Sequence, residues 1–169
     1  MRNSFAVACG ELLNPMEPSF EKLLVRLADS GVQFIIVGGV AVALQGYMRM
    51  TEDVDILIEA STQNVEIMLA ALADYGEGFA RELSVDDFTD EEGAIRVVEE
   101  SEYCQIDIFT RMTGLHYGDL LADASTLEIG DRTVRFASKA ALIRLKSTSV
   151  REKDQLDVIA LERLKDTLK

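Results

Sequence analysis

The sequence is poor in residues that break or bridge a chain. It has two prolines in 169 residues and no serine- or glycine-rich tract, so no interdomain linker is evident. Its two cysteines, Cys9 and Cys104, lack Cys-x-x-Cys spacing and have no histidine nearby, which favours reduced structural thiols. His116 is the single histidine, and no serine or cysteine sits in a nucleophile setting, so a Ser-His-Asp triad has no support. No apolar run approaches the roughly 18 residues needed to span a bilayer. The opening MRNSFAVACGELL carries an apolar stretch too short for a secretory signal, and the expectation is a cytoplasmic protein. Basic side chains are scarce too: 17 against 30 acidic ones, a net charge of −13. Such a surface repels a phosphate backbone and argues against broad nucleic-acid binding. It leaves room for a local basic pocket that holds one phosphorylated ligand, and for a basic protein partner.

What is present is an ordinary soluble composition, 48% apolar and 28% charged. The length suits one domain over residues 1–169, with C-terminal helices in 138–168 packed on its core. Ser19 reads as a helix cap, followed by Phe20, Leu23, Leu24 and Leu27 at helical spacing. Residues 32–37 (VQFIIV) form a buried strand that ends at Gly38-Gly39, and residues 40–47 a short helix. Residues 53–59 (DVDILIE) form a second strand, and Ser61 caps a helix through residue 76. The stretch 77–102 is acidic and less regular, with a strand at 94–98. Residues 103–109 (YCQIDIF) are a clear strand, and 111–124 a loop with a short helix. Residues 126–136 read as a hairpin turning at Gly130-Asp131. Ser138 caps a helix to about Ser147, and another runs from Arg151 to Leu168. The fold class is α/β (α+β), with a mixed β-sheet flanked by helices.

Asp53 and Asp55 alternate on a strand and point the same way, while Val54, Ile56 and Ile58 point into the core. The later strand repeats the pattern, with Cys104, Ile106 and Ile108 on one face and Asp107 opposite, beside Tyr103 and Gln105. Taken singly, each aspartate is also consistent with a solvated strand position. If the two strands are neighbours, three carboxylates converge, an arrangement that calls for a cation among them. Magnesium or manganese suits oxygen ligands, and a metal site of this kind suits phosphoryl or nucleotidyl transfer. Gly38-Gly39, between strand and helix, would let backbone approach a phosphate, or simply make a tight turn.

The residues V-G-G followed, after residues 40–52, by D-V-D-I resemble the signature of the nucleotidyltransferase superfamily, the polymerase-beta-like fold. Asp107 in QIDIF stands where that family carries its third acid. The segment R-M-T-E-D-V-D, Arg49 to Asp55, and the tail at 142–161 resemble the AbiEii-type minimal nucleotidyltransferases, some of which are toxins of toxin–antitoxin pairs. The resemblance implies a nucleotidyltransferase-like fold in which Asp53, Asp55 and Asp107 are catalytic and hold Mg2+ or Mn2+. It implies a nucleoside triphosphate (NTP) substrate, bound by Gly38, Gly39, Arg49, Thr51, Lys146 and Asp154. Many members carry a serine where this chain has Gly39, so only backbone N–H groups could grip a phosphate there. The acceptor implied by the toxin setting is tRNA or an antitoxin protein. The alternative is a nucleotidyltransferase fold without catalysis, serving as a binding or regulatory module.

Arg49 precedes the acid pair and could reach a phosphate, or be a solvated loop residue. Asp154 and Asp157 share a face of the last helix with Leu161, Leu164 and Leu168, and inward carboxylates need partners. Lys146 and Arg151 are the nearest, either as an ion-pair lock between helices or with Lys146 on the triphosphate and Asp154 orienting it. The acidic run 85–92 (VDDFTDEE) reads as a solvated loop or a docking point for a basic partner, and Met48 and Met50 as filler of the core or its rim.

Overall fold

The computed structural model describes residues 18–164. Cys9, Leu168 and the side chain of Ser19, all invoked above, lie outside the described residues. Helix α1 (Pro18–Asp29) is amphipathic, and Phe20, Leu23, Leu24 and Leu27 are all buried, as their spacing predicts. Gly31, at φ +79°, reverses the chain into strand β1 (Phe34–Val37), which is buried at every position. Its place explains why it carries no polar residue. It lies between β2 (Asp53–Ile58), antiparallel to it, and β6 (Arg132–Phe136), parallel to it. The remaining strands are β3 (Ile95–Glu99), β4 (Cys104–Phe109) and β5 (Ser125–Ile129). One mixed sheet results, in the order β3-β4-β2-β1-β6-β5, in agreement with the expected fold class.

Five further helices follow: α2 (Gly38–Leu44), α3 (Thr62–Leu72), α4 (Tyr117–Leu121), α5 (Lys139–Lys146) and α6 (Glu152–Arg163). Ser61 and Ser138 cap α3 and α5 as predicted, their hydroxyls accepting from the N–H groups of Asn64 and Ala141. Helix α1 packs on α3 and β6, α2 on β1, β2 and α5, and α5 on α6. The buried Asn64 amide spans Gln33 and Glu59, donating to both carbonyls at 2.9 and 2.7 Å and accepting from Gln33 N–H at 2.8 Å. That clasp fixes α3 against the loop into β1.

Several boundaries differ from the sequence reading. Helix α2 begins at Gly38 rather than residue 40, so the glycine pair is its first turn rather than a linker before it. Helix α3 ends at Leu72, short of residue 76, where turns bring in Gly76 and Gly78 at positive φ. Strand β4 starts at Cys104, because Tyr103 adopts φ 49° and is 84% exposed. Met48 and Met50 are 60% and 77% exposed, so neither fills the core. The acidic run is more than a solvated loop. Its Glu92 accepts from the N–H groups of Thr113 and Gly114 at 2.8 and 2.6 Å, and Asp90 lies 2.7 Å from His116 Nε2. His116 holds the Asp90 carboxyl below its ordinary pKa.

Candidate active site

The strand registers bring the three acids together. Val37, Asp55, Asp107 and Arg96 form one row across β1, β2, β4 and β3, with Asp55 opposite Asp107 in the parallel β2–β4 ladder. Asp53 stands one row on, opposite Gln105, whose amide donates to Asp53 Oδ2 at 3.3 Å. One carboxylate oxygen from each of Asp53, Asp55 and Asp107 lies within 4.8 Å of the others. Burial, then the charges of Asp53 and Asp107, push the Asp55 carboxyl up to about 7, and Lys146 partly opposes them. A half-buried carboxyl so disfavoured as an anion, between two more acids, is what a hard divalent cation would relieve. All three donors are oxygens, and the set fits such an ion.

The two glycines have separate reasons to be there. A Cβ on Gly38 would sit 1.9 Å from Asp55 Oδ2, and its φ of +64° disfavours any side chain. Gly38 therefore makes room for the acid. A Cβ on Gly39 would come within 2.9 Å of both Arg49 Nη2 and Thr51 Oγ1, so Gly39 makes room for those two residues. Thr51 Oγ1 in turn donates to the carbonyl of Asp53 at 3.1 Å, holding the entry to β2. The glycine pair thus has a packing role that the strand-to-helix reading did not contain.

The basic groups are paired. Lys146 Nζ lies 2.7 Å from Asp154 Oδ1 and 3.0 Å from Asp157 Oδ2, and all three side chains are about nine-tenths buried or more. Arg49 Nη2 donates to Asp157 Oδ2 at 2.9 Å. Its Nε lies 2.8 Å from Oδ1, but off the hydrogen-bond direction, so this second contact is one of charge alone. Arg151 Nε and Ser149 Oγ both donate to Asp154 Oδ2. Burial raises the Asp154 pKa. The hydrogen bonds from Lys146 and Ser149, with the charges of Lys146 and Arg151, overcome it and hold the group at about 2. The ion-pair lock between helices, one of two readings of Lys146, is present. Arg49, carried on the loop after α2, joins it.

The nine residues expected at the metal and triphosphate site line one cavity of about 380 Å³: Asp53, Asp55 and Asp107; Gly38, Gly39, Arg49 and Thr51; Lys146 and Asp154. Arg96 and Lys153 line it as well, and the sequence reading passed over both. A signal for Arg96 existed: it is a charged residue inside the short apolar strand IRVVE, one position from Val97 in the core. Its guanidinium grips Asp107 with two hydrogen bonds, Nε to Oδ1 at 2.8 Å and Nη2 to Oδ2 at 2.9 Å.

Residues 18–169 match the family described as "Nucleotidyl transferase of unknown function (DUF2204)". The chain belongs to that family. In this nucleotidyl transferase family member the acid row and the glycine pair fall within the matched span. Its fold is similar to a solved candidate nucleotidyltransferase from Thermotoga maritima, with a TM-score of 0.54, 16% identity, and coverage of 89% of this chain and 96% of that one. The similarity places the mixed sheet and its helices in the nucleotidyltransferase-like fold. No curated protein matches the chain significantly. Among the described residues no helix is long and apolar enough to cross a membrane.

Proposed function

We propose that this nucleotidyltransferase transfers a nucleoside monophosphate from an NTP to an acceptor hydroxyl, and that it depends on Mg2+ or Mn2+. The observation that carries this reading is the acid row: three carboxylates with oxygens within 4.8 Å, in the same cavity as Gly38-Gly39 and several cationic side chains. In the reaction, the acceptor oxygen bonds to the α-phosphorus, the bond from that phosphorus to pyrophosphate breaks, and the hydroxyl proton leaves. The bound cation would supply positive charge that polarises phosphate oxygens. Asp53, Asp55 and Asp107 would hold it, and Asp107 would also help receive the proton. Gly38 and Gly39 expose backbone to the triphosphate, Thr51 braces Asp53, and Arg49 and Lys146 face the anionic chain, with Asp154 fixing the direction of Lys146. The acceptor would be tRNA or a partner protein, in the toxin–antitoxin setting that the sequence resemblance implies.

A second reading is supported by one observation. Arg96, Arg49 and Lys146 all have acid partners, which suits a fold that binds a nucleotide without turning it over. Calorimetric titration of ATP, GTP, CTP and UTP, with and without magnesium, tests the site. The expected result is metal-dependent binding of at least one triphosphate that Asp53→Ala/Asp55→Ala abolishes. Binding that survives the double substitution would remove the acids from the site. Binding without pyrophosphate release, with tRNA and candidate protein acceptors supplied, would favour the regulatory module.

A further inference from the structure

Arg96 is joined to the acid row in a way the proposed reaction does not use. It stands on the edge strand β3, opposite Asp107 in the antiparallel β3–β4 register. Its two bonds occupy both oxygens of Asp107, one of the three carboxylates able to meet at a cation. The two partners differ in exposure. The Asp107 side chain is 6% exposed and that of Arg96 57%, so the acid is enclosed by the sheet while the guanidinium stands largely in solvent, with both of its side-chain hydrogen bonds made to the acid. Arg96 also lines a second depression of about 350 Å³ along β3, whose walls include Glu82 and Glu100. A guanidinium leaving Asp107 therefore has an adjoining groove to enter, with two carboxylates on its walls. The other two acids of the row have no ion-pair partner among the described residues.

We propose that Arg96 is a displaceable counter-ion. It neutralises Asp107 in the metal-free protein and gives way when a divalent cation binds the acid row. This rests on the reading of Asp53, Asp55 and Asp107 as a metal site. Geometry gives the reason. A bidentate fork fits a carboxylate in plane and takes one lone pair on each oxygen, and two positive groups on one carboxylate repel at contact distance. Arg96 thereby sets a threshold on metal binding. It compensates Asp107 until a metal binds, and on release it moves along β3 toward Glu82 and Glu100.

The test is Mn2+ binding to the full chain, followed by the loss of the free-ion paramagnetic resonance signal, with Asp55→Asn as the blank for surface sites. Arg96→Gln is expected to tighten the Asp55-dependent site about tenfold or more, since a charge-assisted bidentate pair no longer competes. Arg96→Lys keeps the charge but not the fork, and is expected to fall between the two. It also carries the test if the glutamine variant does not fold. An affinity unchanged or weakened in Arg96→Gln overturns the proposal, leaving Arg96 as a positioning group for Asp107. A lysine variant identical to wild type overturns displacement in favour of charge acting through space. Absence of Asp55-dependent Mn2+ binding in every variant overturns the metal site itself, and the counter-ion role with it.

Discussion

At the residue scale, Asp55 is costly to the fold. Its carboxyl titrates at about 7 because burial and two neighbouring acids disfavour its charge. A folded-state value raised above the unfolded one means that the folded chain binds the proton more tightly. The group's contribution is neutral at low pH, turns unfavourable as pH rises above about 4, and is fully unfavourable above 7. Asp55→Asn should therefore stabilise the metal-free protein by about 1–3 kcal/mol at pH 8, after allowance for solvent reaching the site, and by almost nothing at pH 4. Urea denaturation at the two pH values measures this. Equal stability of the variant and wild type at pH 8 would mean that Asp55 is already compensated, by Arg96 or Lys146. Such a cost, behind a glycine whose Cβ would collide with the acid, supports the proposed ligand role of Asp55 over a role in the core.

At the scale of elements, α6 is tied to the rest by charges that hydrophobic burial does not replace. Of its buried residues, Asp154 and Asp157 are acids and Leu161 is apolar. Asp157 is fully buried and answers Arg49 and Lys146 together. Asp157→Asn leaves Arg49 without its one ion-pair partner among the described residues and should cost about 3–5 kcal/mol. Arg49→Met combined with Asp157→Leu should recover much of that loss, because it removes both charges rather than orphaning one. Thermal unfolding of the single and double variants decides it; a double variant less stable than the single one would refute the account. The contrast between Asp157 and the acid row also shows what was legible in the sequence. Period-two alternation placed Asp53, Asp55 and Asp107 on strand faces, and their convergence, which alternation left conditional on the two strands being neighbours, was implied by the family resemblance. Lys146 was legible as a partner of Asp154 and Asp157, but the arginines that pair with Asp157 and Asp107 were not. Arg49 and Asp157 are 108 positions apart, and Arg96 meets Asp107 only through the β3–β4 register, which no local pattern specifies. The start of α2 at Gly38 was hidden for a similar reason. The glycines are set by Asp55, Arg49 and Thr51, side chains that reach them from further along the chain.

At the scale of the whole molecule, a net charge of −13 surrounds a cavity whose cations are largely neutralised by their own acids. Arg49, Arg96, Lys146 and Arg151 each face an aspartate, so the cavity projects little positive field beyond its mouth. This sets small and large polyanions apart. On the proposed function, a nucleoside triphosphate would bring a few charges into the cavity, where metal and side chains would meet them directly. A tRNA brings dozens, most of which would lie against an acidic surface. Unaided binding of bulk tRNA by the metal-free protein should therefore be weaker than about 100 μM even at 50 mM salt, the weak end of ordinary non-specific affinity. Fluorescence anisotropy against labelled tRNA across 50–300 mM salt measures it. Micromolar affinity that falls steeply with salt would reveal a basic face strong enough to override the net charge, and would favour tRNA as the acceptor. Weak binding without salt dependence would shift the acceptor toward a basic partner protein, because the same surface that repels a nucleic acid attracts such a partner.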